Sequence, residues 1–374
     1  MRILFLLDFF SSLGGVEFYN YLLIKEFAEK NIDLKIYIGE RPKYNYWIDL
    51  LSNLNNIECY YPEVFHDELQ SRIIEKKFLR KFTKDINNWK PDYIYVHPAG
   101  KLLITYFEEN PKSEVPIIST EYTTPCKEAS TWFCSELSQY INRIEIIVAT
   151  CESVAYGLRN FHKFTNKIEV IPHLIPVTTG WTGDEGDINS IGCICRLSPE
   201  KGVDFLLGAW RSVNKLFPET SLHIYGHGKD EEHLKELTSS LGISGSVFFE
   251  GTYLPISGID EVASRHRIFV QPSLFESIPT SILELIARKR AIIATAVGGI
   301  PEIISNEEQT GSLVEPASTD EISKAILFLL NNNKYISLFS NNGYEKFKII
   351  YDFKKNVAKM MSLFANNKQG GFGT

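Results

Sequence analysis

Short apolar runs alternate with longer amphipathic stretches along most of this chain. The first run, residues 3–8, is followed by a glycine-containing turn and then by a helical pattern over residues 16–30. The same order returns around 91–98 and 115–125, and again in the second half of the chain. Strands that alternate with helices form parallel sheets with helices on both faces, and such sheets bind ligands at the carboxyl ends of their strands. The pattern therefore predicts an α/β fold.

Length and composition narrow this prediction. A chain of 374 residues is long for one core, so two domains are expected, joined at the polar segment 176–189. This places an N-terminal domain at 1–175 and a C-terminal domain at 176–349. The formal net charge of −7 argues against a nucleic-acid partner. No apolar run is long enough to span a bilayer, and residues 1–10 resemble a buried strand more than a signal peptide. The six cysteines lack zinc spacing. A cytoplasmic protein with reduced thiols is therefore expected.

A turn between an apolar strand and a helix, within residues 271–286, has the most specific site signal. Glu276 lies in the turn, and Glu284 follows on the predicted helix, one turn after Thr280 on the same face. Pro279 suits the first helical position, where a missing N–H leaves no bond unmade. Backbone N–H groups at a helix start favour an anion, and carboxylates accept hydrogen bonds from sugar hydroxyls. The stretch therefore suits a sugar nucleotide, the alternative being a helix cap with one charged turn residue and one surface glutamate.

Charged and polar residues also follow other predicted strands. Arg196 and Lys201 flank a strand-to-helix turn, where two cations can neutralise a diphosphate, the alternative being two solvated turn residues. His97 and Glu121 each follow an apolar run in the first half of the chain, so both are expected at the ligand-binding edge of a sheet. No two aspartates are separated by a single residue, so an acidic metal site of that kind is not expected.

Two segments leave alternatives open. Residues 40–70 are rich in tyrosine and show no clear period, so they are read as irregular. Their aromatic rings could hold an acceptor or pack on one another. Residues 72–89 form a basic amphipathic pattern, which suits either the surface of an anionic membrane or an ordinary surface helix packed on a sheet.

Taken together, these motifs resemble the family 4 retaining glycosyltransferases, which have the GT-B fold. The resemblance rests on RIFVQPS, ESIPTSILELI and AIIATAVGGIPEII, on the arginine–turn–lysine–glycine pattern at 196–202, and on the glycine pair 14–15. It extends over most of the chain. It implies two Rossmann-like domains whose parallel sheets face a central cleft, with a terminal helix at about 350–374 that joins the first domain.

The resemblance also implies a chemistry. It is a retaining, metal-independent transfer of a sugar from a nucleoside-diphosphate sugar to a hydroxyl acceptor, with a UDP-sugar favoured, a GDP-sugar as the alternative, and no further cofactor. The acceptor would be a glycan, a lipid-linked glycan or a protein, in bacterial glycan, glycolipid or glycoprotein synthesis. Glu276 would hold the donor sugar and Glu284 the ribose. The residues implied on the catalytic side are Glu276, Arg196, Lys201, Glu121 and His97, and those on the donor side are Gly14, Gly15, Gly226, Thr252, Ser277, Ile278, Pro279, Thr280 and Glu284.

Three places depart from the family pattern. Residues 277–279 replace the usual glycines, and Pro279 has no N–H to offer a donor. Glu121 stands where a histidine is usual, and His173 and Leu174 replace an asparagine–glycine pair. Two other functions therefore stay open, namely a UDP-sugar epimerase of GT-B-like fold and a non-catalytic sugar-nucleotide-binding partner of a transferase.

Overall fold

A computed structural model gives the fold of the protein. Three segments discussed above lie partly outside the residues that the model describes. The undescribed parts are 72–75 of the basic segment 72–89, 177–180 and 182–185 of the polar segment 176–189, and 367–374 of the terminal segment 350–374. The chain divides into two compact units, Met1–Leu174 with Phe353–Thr374, and Ile175–Asp352. The structure describes residues 1–10, 13–40, 42, 45–62, 76–122, 135–176, 181, 186–253 and 258–366.

The first unit is built on a parallel seven-stranded sheet with the strand order β3-β2-β1-β4-β5-β6-β7. Its strands are β1 (Arg2–Leu7), β2 (Asp33–Ile38), β3 (Ile57–Tyr60), β4 (Tyr93–Val96), β5 (Ile117–Glu121), β6 (Ile146–Ala149) and β7 (Lys167–Val170). Its helices up to this point are α1 (Gly15–Glu29), α2 (Tyr46–Ser52), α3 (Lys76–Trp89), α4 (Lys101–Glu109), α5 (Ser135–Ser138) and α6 (Glu152–Asn160), with a 3-10 turn at Ile141–Arg143.

The second unit is built on a parallel six-stranded sheet with the order β10-β9-β8-β11-β12-β13. Its strands are β8 (Asp187–Ile194), β9 (Ser221–Tyr225), β10 (Val247–Gly251), β11 (His266–Gln271), β12 (Ala291–Thr295) and β13 (Ser312–Val314). A 3-10 turn at Pro199–Lys201 precedes α7 (Val203–Leu216), and its later helices are α8 (Glu231–Ser240), α9 (Gly258–Arg265), α10 (Thr280–Ile286), α11 (Ile300–Ile303), α12 (Thr319–Asn331) and α13 (Asn333–Ile350). The last helix of the chain, α14 (Phe353–Asn366), belongs to the first unit. The predicted α/β class with parallel sheets is confirmed in both units.

Helix α14 packs on the core of the first unit. The ring of Phe364 lies 5.1 Å from that of Phe27 and 5.4 Å from that of Tyr93. Phe27 in turn contacts Phe5 of β1, whose residues 3–7 are apolar and buried on both faces, as expected for a strand covered by helices on each side. Burial of these aromatic rings therefore attaches the end of the chain to the first sheet.

The interpretation of residues 40–70 as irregular is wrong at 46–52 and 57–60, which form α2 and β3, whereas residues 63–70 lie outside the described part of the chain. Trp47 of α2 is fully buried and contacts Phe10 and Phe18 of the first core. Strand β3 pairs with β2 from Leu34↔Ile57 onward and has only four residues. Elements this short carry too few repeats for a period to be visible in the sequence.

Helix α3 packs its apolar face within the first unit. Phe78, Phe82 and Ile86 are buried, and the ring of Phe82 lies 5.0 Å from that of Tyr37. Lys81 and Lys84 are exposed on the same helix. Among the helices of the described residues, none has the length and apolar character needed to cross a bilayer. Contact of this helix with a membrane surface stays a prediction.

Candidate functional site

Five loops meet at the carboxyl edge of the second sheet. The loops that follow β10, β9, β8, β11 and β12 contain, in that order along the edge, Thr252, His227, Arg196, Glu276 and Gly298. Neighbouring strands are spaced at roughly 4.8 Å, so the first and last of these loops are separated by about 19 Å across four spacings. This edge offers an elongated ligand a row of separate contact points.

A partly buried ion pair joins the loops after β8 and β11. The Lys201 ammonium bonds to Oε1 of Glu276, and their side chains are only 16% and 10% exposed. The hydroxyl of Ser273 donates to the same carboxylate oxygen over 3.1 Å. Gln271 donates to that hydroxyl over 2.8 Å. Two residues predicted on the sequence as site residues are thereby brought into direct contact.

The backbone of Gly202 fixes the distance between these two loops. Its φ of 61° lies in the left-handed region, and a Cβ atom there would stand 2.3 Å from the carbonyl oxygen of Pro272. The N–H of Leu274 donates to the carbonyl of Glu200 over 2.8 Å. Lys201 is thus presented to Glu276 by a turn that only glycine completes.

The loop after β12 is held equally closely against the Glu276 turn. A Cβ atom on Gly298, whose φ is 57°, would stand 1.8 Å from the carbonyl oxygen of Glu276. The N–H of Gly299 donates to the carbonyl of Ser277 over 2.7 Å. The carbonyls of 276 and 277 are therefore turned toward this loop.

Arg196 follows β8, in the middle of this row of loops. Its guanidinium is 67% exposed and donates to Glu200 over 3.1 Å, and the hydroxyl of Ser198 donates to the same carboxylate over 2.6 Å. An exposed pair of this kind is weak, because water competes for both charges. Arg196 can therefore exchange Glu200 for an anionic ligand at little energetic cost.

Helix α10 begins one residue later than the sequence predicted. Pro279 is the N-cap, with an extended ψ of 127°, and Thr280 is the first helical residue. The carbonyl of Pro279 accepts a bond from the N–H of Ile282 over 3.1 Å, which is the usual role of an N-cap carbonyl. Ile278 is buried under the turn and Ser277 is half-buried.

Glu284 is buried inside the second unit. Its side chain is 6% exposed, and burial raises the pKa of its carboxyl group to about 8, an effect that Arg288 partly opposes and Asp260 reinforces. The charge of Glu284 adds to the effect of burial in raising the pKa of Tyr253, the residue after Thr252. The alternative of a surface glutamate is therefore wrong.

His97 occupies a buried position after β4 in the first unit. Its Nδ1 lies 2.7 Å from Oδ1 of Asn20, and the ring stacks on Tyr122 at 4.3 Å. The amide of Asn20 also donates to the carbonyl of His97, so its oxygen faces Nδ1, which carries the proton. Burial, and secondarily the charge of His173, holds the pKa of His97 well below its ordinary value. Its Nε2 is an acceptor without a hydrogen-bond partner among the described residues.

His173 and Tyr19 belong to the same group of ring contacts as His97 and Tyr122, although sequence reasoning did not place them there. His173 lies 4.8 Å from the ring of Tyr122, and Tyr19 contacts both rings edge-on. Glu121 ends β5 beside them, buried, and accepts a bond from the N–H of Tyr122 over 3.0 Å. The sequence feature that could have pointed to His173 is its position, because His173 and Leu174 replace the asparagine–glycine pair of the family. Gly14 and Gly15, the N-cap and first residue of α1, also lie in this unit.

Within the parts of the chain that the structure describes, no group of three histidine, cysteine, aspartate or glutamate side chains could hold a metal ion. The remaining donor-side positions lie at the edge of the second sheet. Thr252 is exposed after β10, and Gly226 follows β9.

Comparison with known proteins gives two family matches. The family described as Glycosyl transferases group 1 matches residues 183–346, and Glycosyltransferase Family 4 matches residues 13–178. An uncharacterized glycosyltransferase of Methanocaldococcus jannaschii is 23% identical over 94% of this chain and 95% of its own length. An uncharacterized glycosyltransferase of Haemophilus influenzae is 33% identical over 35% of this chain and 36% of its own length.

Several other curated relatives are likewise matched over only 35% to 39% of their own length. Among solved structures, HepE of Anabaena in complex with UDP and glucose superposes with a TM-score of 0.80 at 16% identity, covering 98% of this chain and 100% of that one. At that identity the likeness concerns the fold.

Proposed function

We propose that this chain, which belongs to family 4 of the glycosyltransferases (glycosyl transferases group 1) and has the GT-B fold, moves a sugar from a nucleoside-diphosphate sugar to a hydroxyl acceptor. The observation that carries the proposal is the contact between Lys201 and Glu276. It puts a cation and a carboxylate at one point of a sheet edge, on loops whose spacing is set by Gly202. A sugar nucleotide presents both an anion and hydroxyl groups, and this point has a partner for each.

The donor diphosphate would be held by Lys201 and Arg196. Both cations are paired with carboxylates in the free protein, and the donor diphosphate, which carries two negative charges, offers one charge to each of them. As Lys201 turns to the phosphate, Glu276 is released to accept a hydrogen bond from a donor-sugar hydroxyl. Glu284 would accept bonds from the ribose hydroxyls.

The reaction breaks the bond between the anomeric carbon and the diphosphate oxygen, and the electron pair leaves with the diphosphate. Lys201 and Arg196 stabilise the charge that develops there, which is the main electrostatic demand of the step. The acceptor oxygen forms the new bond on the same face, and its proton passes to the departing phosphate. The configuration of the anomeric carbon is retained, and these steps need no metal ion or further cofactor.

On the acceptor side, His97 and Glu121 would orient the hydroxyl. The acceptor lone pair of His97 Nε2 and the carboxylate of Glu121, both at strand ends of the first sheet, support this role. The acceptor would be a glycan, a lipid-linked glycan or a protein. The protein would act in the cytoplasm, with α3 as the segment for any membrane contact.

A UDP-sugar is favoured as the donor, with a GDP-sugar as the alternative. The support is the similarity in fold to HepE, which was crystallised with UDP and glucose. The chemistry at Lys201 and Glu276 is common to both donors and does not choose between them.

The proposal is tested with UDP-glucose, UDP-N-acetylglucosamine and GDP-mannose, each with and without simple alkyl glycosides as acceptors. The sugar is α-linked in each of these donors. The expected result is release of nucleoside diphosphate together with an α-linked product, whose anomeric configuration is identified by NMR. An epimerase would interconvert the sugars without releasing diphosphate, and a binding partner would bind a donor without turnover. Lys201→Ala should abolish most of the release, whereas Lys324→Ala, which removes an exposed ion pair with Asp320 on α12, should not.

A further inference from the structure

The loop after β9 holds His227 in a fixed place at the sheet edge. On one side, a Cβ atom on Gly226 would stand 1.8 Å from the carbonyl oxygen of Cys195, and on the other a Cβ on Gly228 would stand 1.9 Å from that of Leu197. The N–H of Leu197 donates to the carbonyl of His227 over 3.0 Å. The backbone of His227 is therefore held on both sides, although its side chain is 62% exposed.

The imidazole of His227 is also oriented. Its Nδ1 lies 2.8 Å from Oε2 of Glu231, whose other carboxylate oxygen accepts a bond from Lys235 over 2.6 Å. The bond from Lys235 and then that from His227 hold the pKa of Glu231 below its ordinary value, so the group is a carboxylate. A carboxylate only accepts hydrogen bonds, so Nδ1 carries the proton and Nε2 presents a lone pair.

The Nε2 atom lies close to the next loop along the edge. A Cβ atom built on Gly251 would stand 3.5 Å from Nε2 of His227. The turn continues through Thr252 to Tyr253, which is close enough to Glu284 for the two to influence each other electrostatically. One short turn thus connects the imidazole with the carboxyl group proposed for the ribose.

This inference rests on the proposed function. The strand order puts the loops of the second unit in the same sequence as the parts of a sugar nucleotide. Glu276 would take the hexose after β11, Arg196 the diphosphate after β8, and the space beside β9 and β10 is left for the base.

We infer that His227 contacts the nucleobase, and that its Nε2 accepts a hydrogen bond from a ring N–H of that base. Uracil has such an N–H, as guanine does. Cytosine presents a ring nitrogen lone pair in the corresponding place, which would oppose the lone pair of Nε2. His227 would therefore select a uracil-type base over cytosine.

Calorimetric titration of UDP and of CDP tests this on the full chain. The wild type should bind UDP more tightly than CDP. His227→Ala should weaken UDP binding between about threefold and tenfold, the range for one hydrogen bond. It should not weaken CDP binding, because it also removes the lone pair that opposes cytosine, and it should leave inorganic pyrophosphate binding unchanged. His227→Gln, whose amide oxygen can accept, should keep part of the preference. His233→Ala removes another exposed histidine from α8 and should change nothing.

Equal losses for UDP and CDP, or no loss for either, would overturn the role of His227 while leaving the proposed transfer intact. A wild type that binds UDP and CDP equally would also overturn it. If the wild type binds none of UDP, CDP and GDP when each is titrated in the same way, the proposed function fails together with this inference.

Discussion

The buried carboxyl group of Glu284 makes the stability of the ligand-free protein depend on pH. Its pKa is about 8 in the folded chain, because burial disfavours the charged form, and the ordinary value is 4.5. Between these values the folded state holds a proton that the unfolded state has released. The free energy of unfolding therefore falls as the pH rises from 4.5 to 8, and Glu284 contributes no difference well below 4.5.

The size of the effect follows from the same two values. Between pH 5 and pH 7, Glu284 alone should lower the free energy of unfolding by about 2.5 kcal/mol. Glu284→Gln keeps the volume and most of the hydrogen-bonding capacity but cannot ionise. The difference in unfolding free energy between wild type and variant should therefore change by this amount, the variant gaining relative to the wild type at the higher pH.

Urea denaturation at pH 5 and pH 7 measures this difference, with the fluorescence of Trp210, which is fully buried in the second unit, contributing to the signal. Glu236→Gln is the matched control, since Glu236 is exposed on α8. The free energy of unfolding of Glu236→Gln should change between the two pH values by the same amount as that of the wild type. If Glu284→Gln also changes by that amount, the carboxyl group is not protonated in the folded protein and the reasoning fails.

Donor binding should reverse this protonation. Ribose hydroxyls that donate to Glu284 favour the carboxylate, so binding at pH 7 should release about one proton. Calorimetry of a UDP-sugar in two buffers of different ionisation enthalpy measures that number. Release of the same number of protons by Glu284→Gln would show that the ribose is not bound to this residue.

Four other predictions concern the reaction. Arg196→Ala and Lys201→Ala should each cost about 2–4 kcal/mol of transition-state stabilisation, read from kcat/KM, and near-normal turnover in both would remove them from the mechanism. Glu276→Gln should bind UDP almost normally in calorimetry but transfer sugar slowly, and loss of UDP binding would contradict the role given to it. Transfer should continue in EDTA, because two cationic side chains serve the diphosphate, whereas loss of activity that magnesium or manganese restores would disprove metal independence. Glu121→Gln should lower the transfer rate more than UDP affinity, and an unchanged rate would make Glu121 a structural residue.

The sequence was informative wherever an apolar run ends in a polar residue. Strand β5 ends at Glu121 and His97 follows β4, as predicted, because strand ends are visible as a change from apolar to polar residues. Arg196 and Glu276 were placed after their strands by the same reasoning. These are local features, and a parallel sheet converts them into positions along one edge.

Contacts between distant segments could not be predicted in this way. Lys201 and Glu276 are 75 residues apart and meet because β8 and β11 are neighbours in the sheet, a pairing that no local pattern encodes. Helical periodicity places Glu284 on one face with Thr280 but does not tell whether that face is covered. The burial of Glu284 involves the packing of α9, which contributes Asp260 beside Arg288. The ring contacts of His173 likewise depend on Tyr19, which lies in α1.

The close backbone contacts at the second sheet's edge bear on how donor choice could be altered by directed evolution. Any side chain larger than hydrogen at Gly202, Gly226 or Gly298 would have to displace a neighbouring carbonyl oxygen, so most random substitutions there would be lost to misfolding. Variation at His227 and Ser277, with these three glycines held constant, would give a library in which most members retain the native loops. A changed donor preference in such a library could then be assigned to a side chain, not to a moved loop.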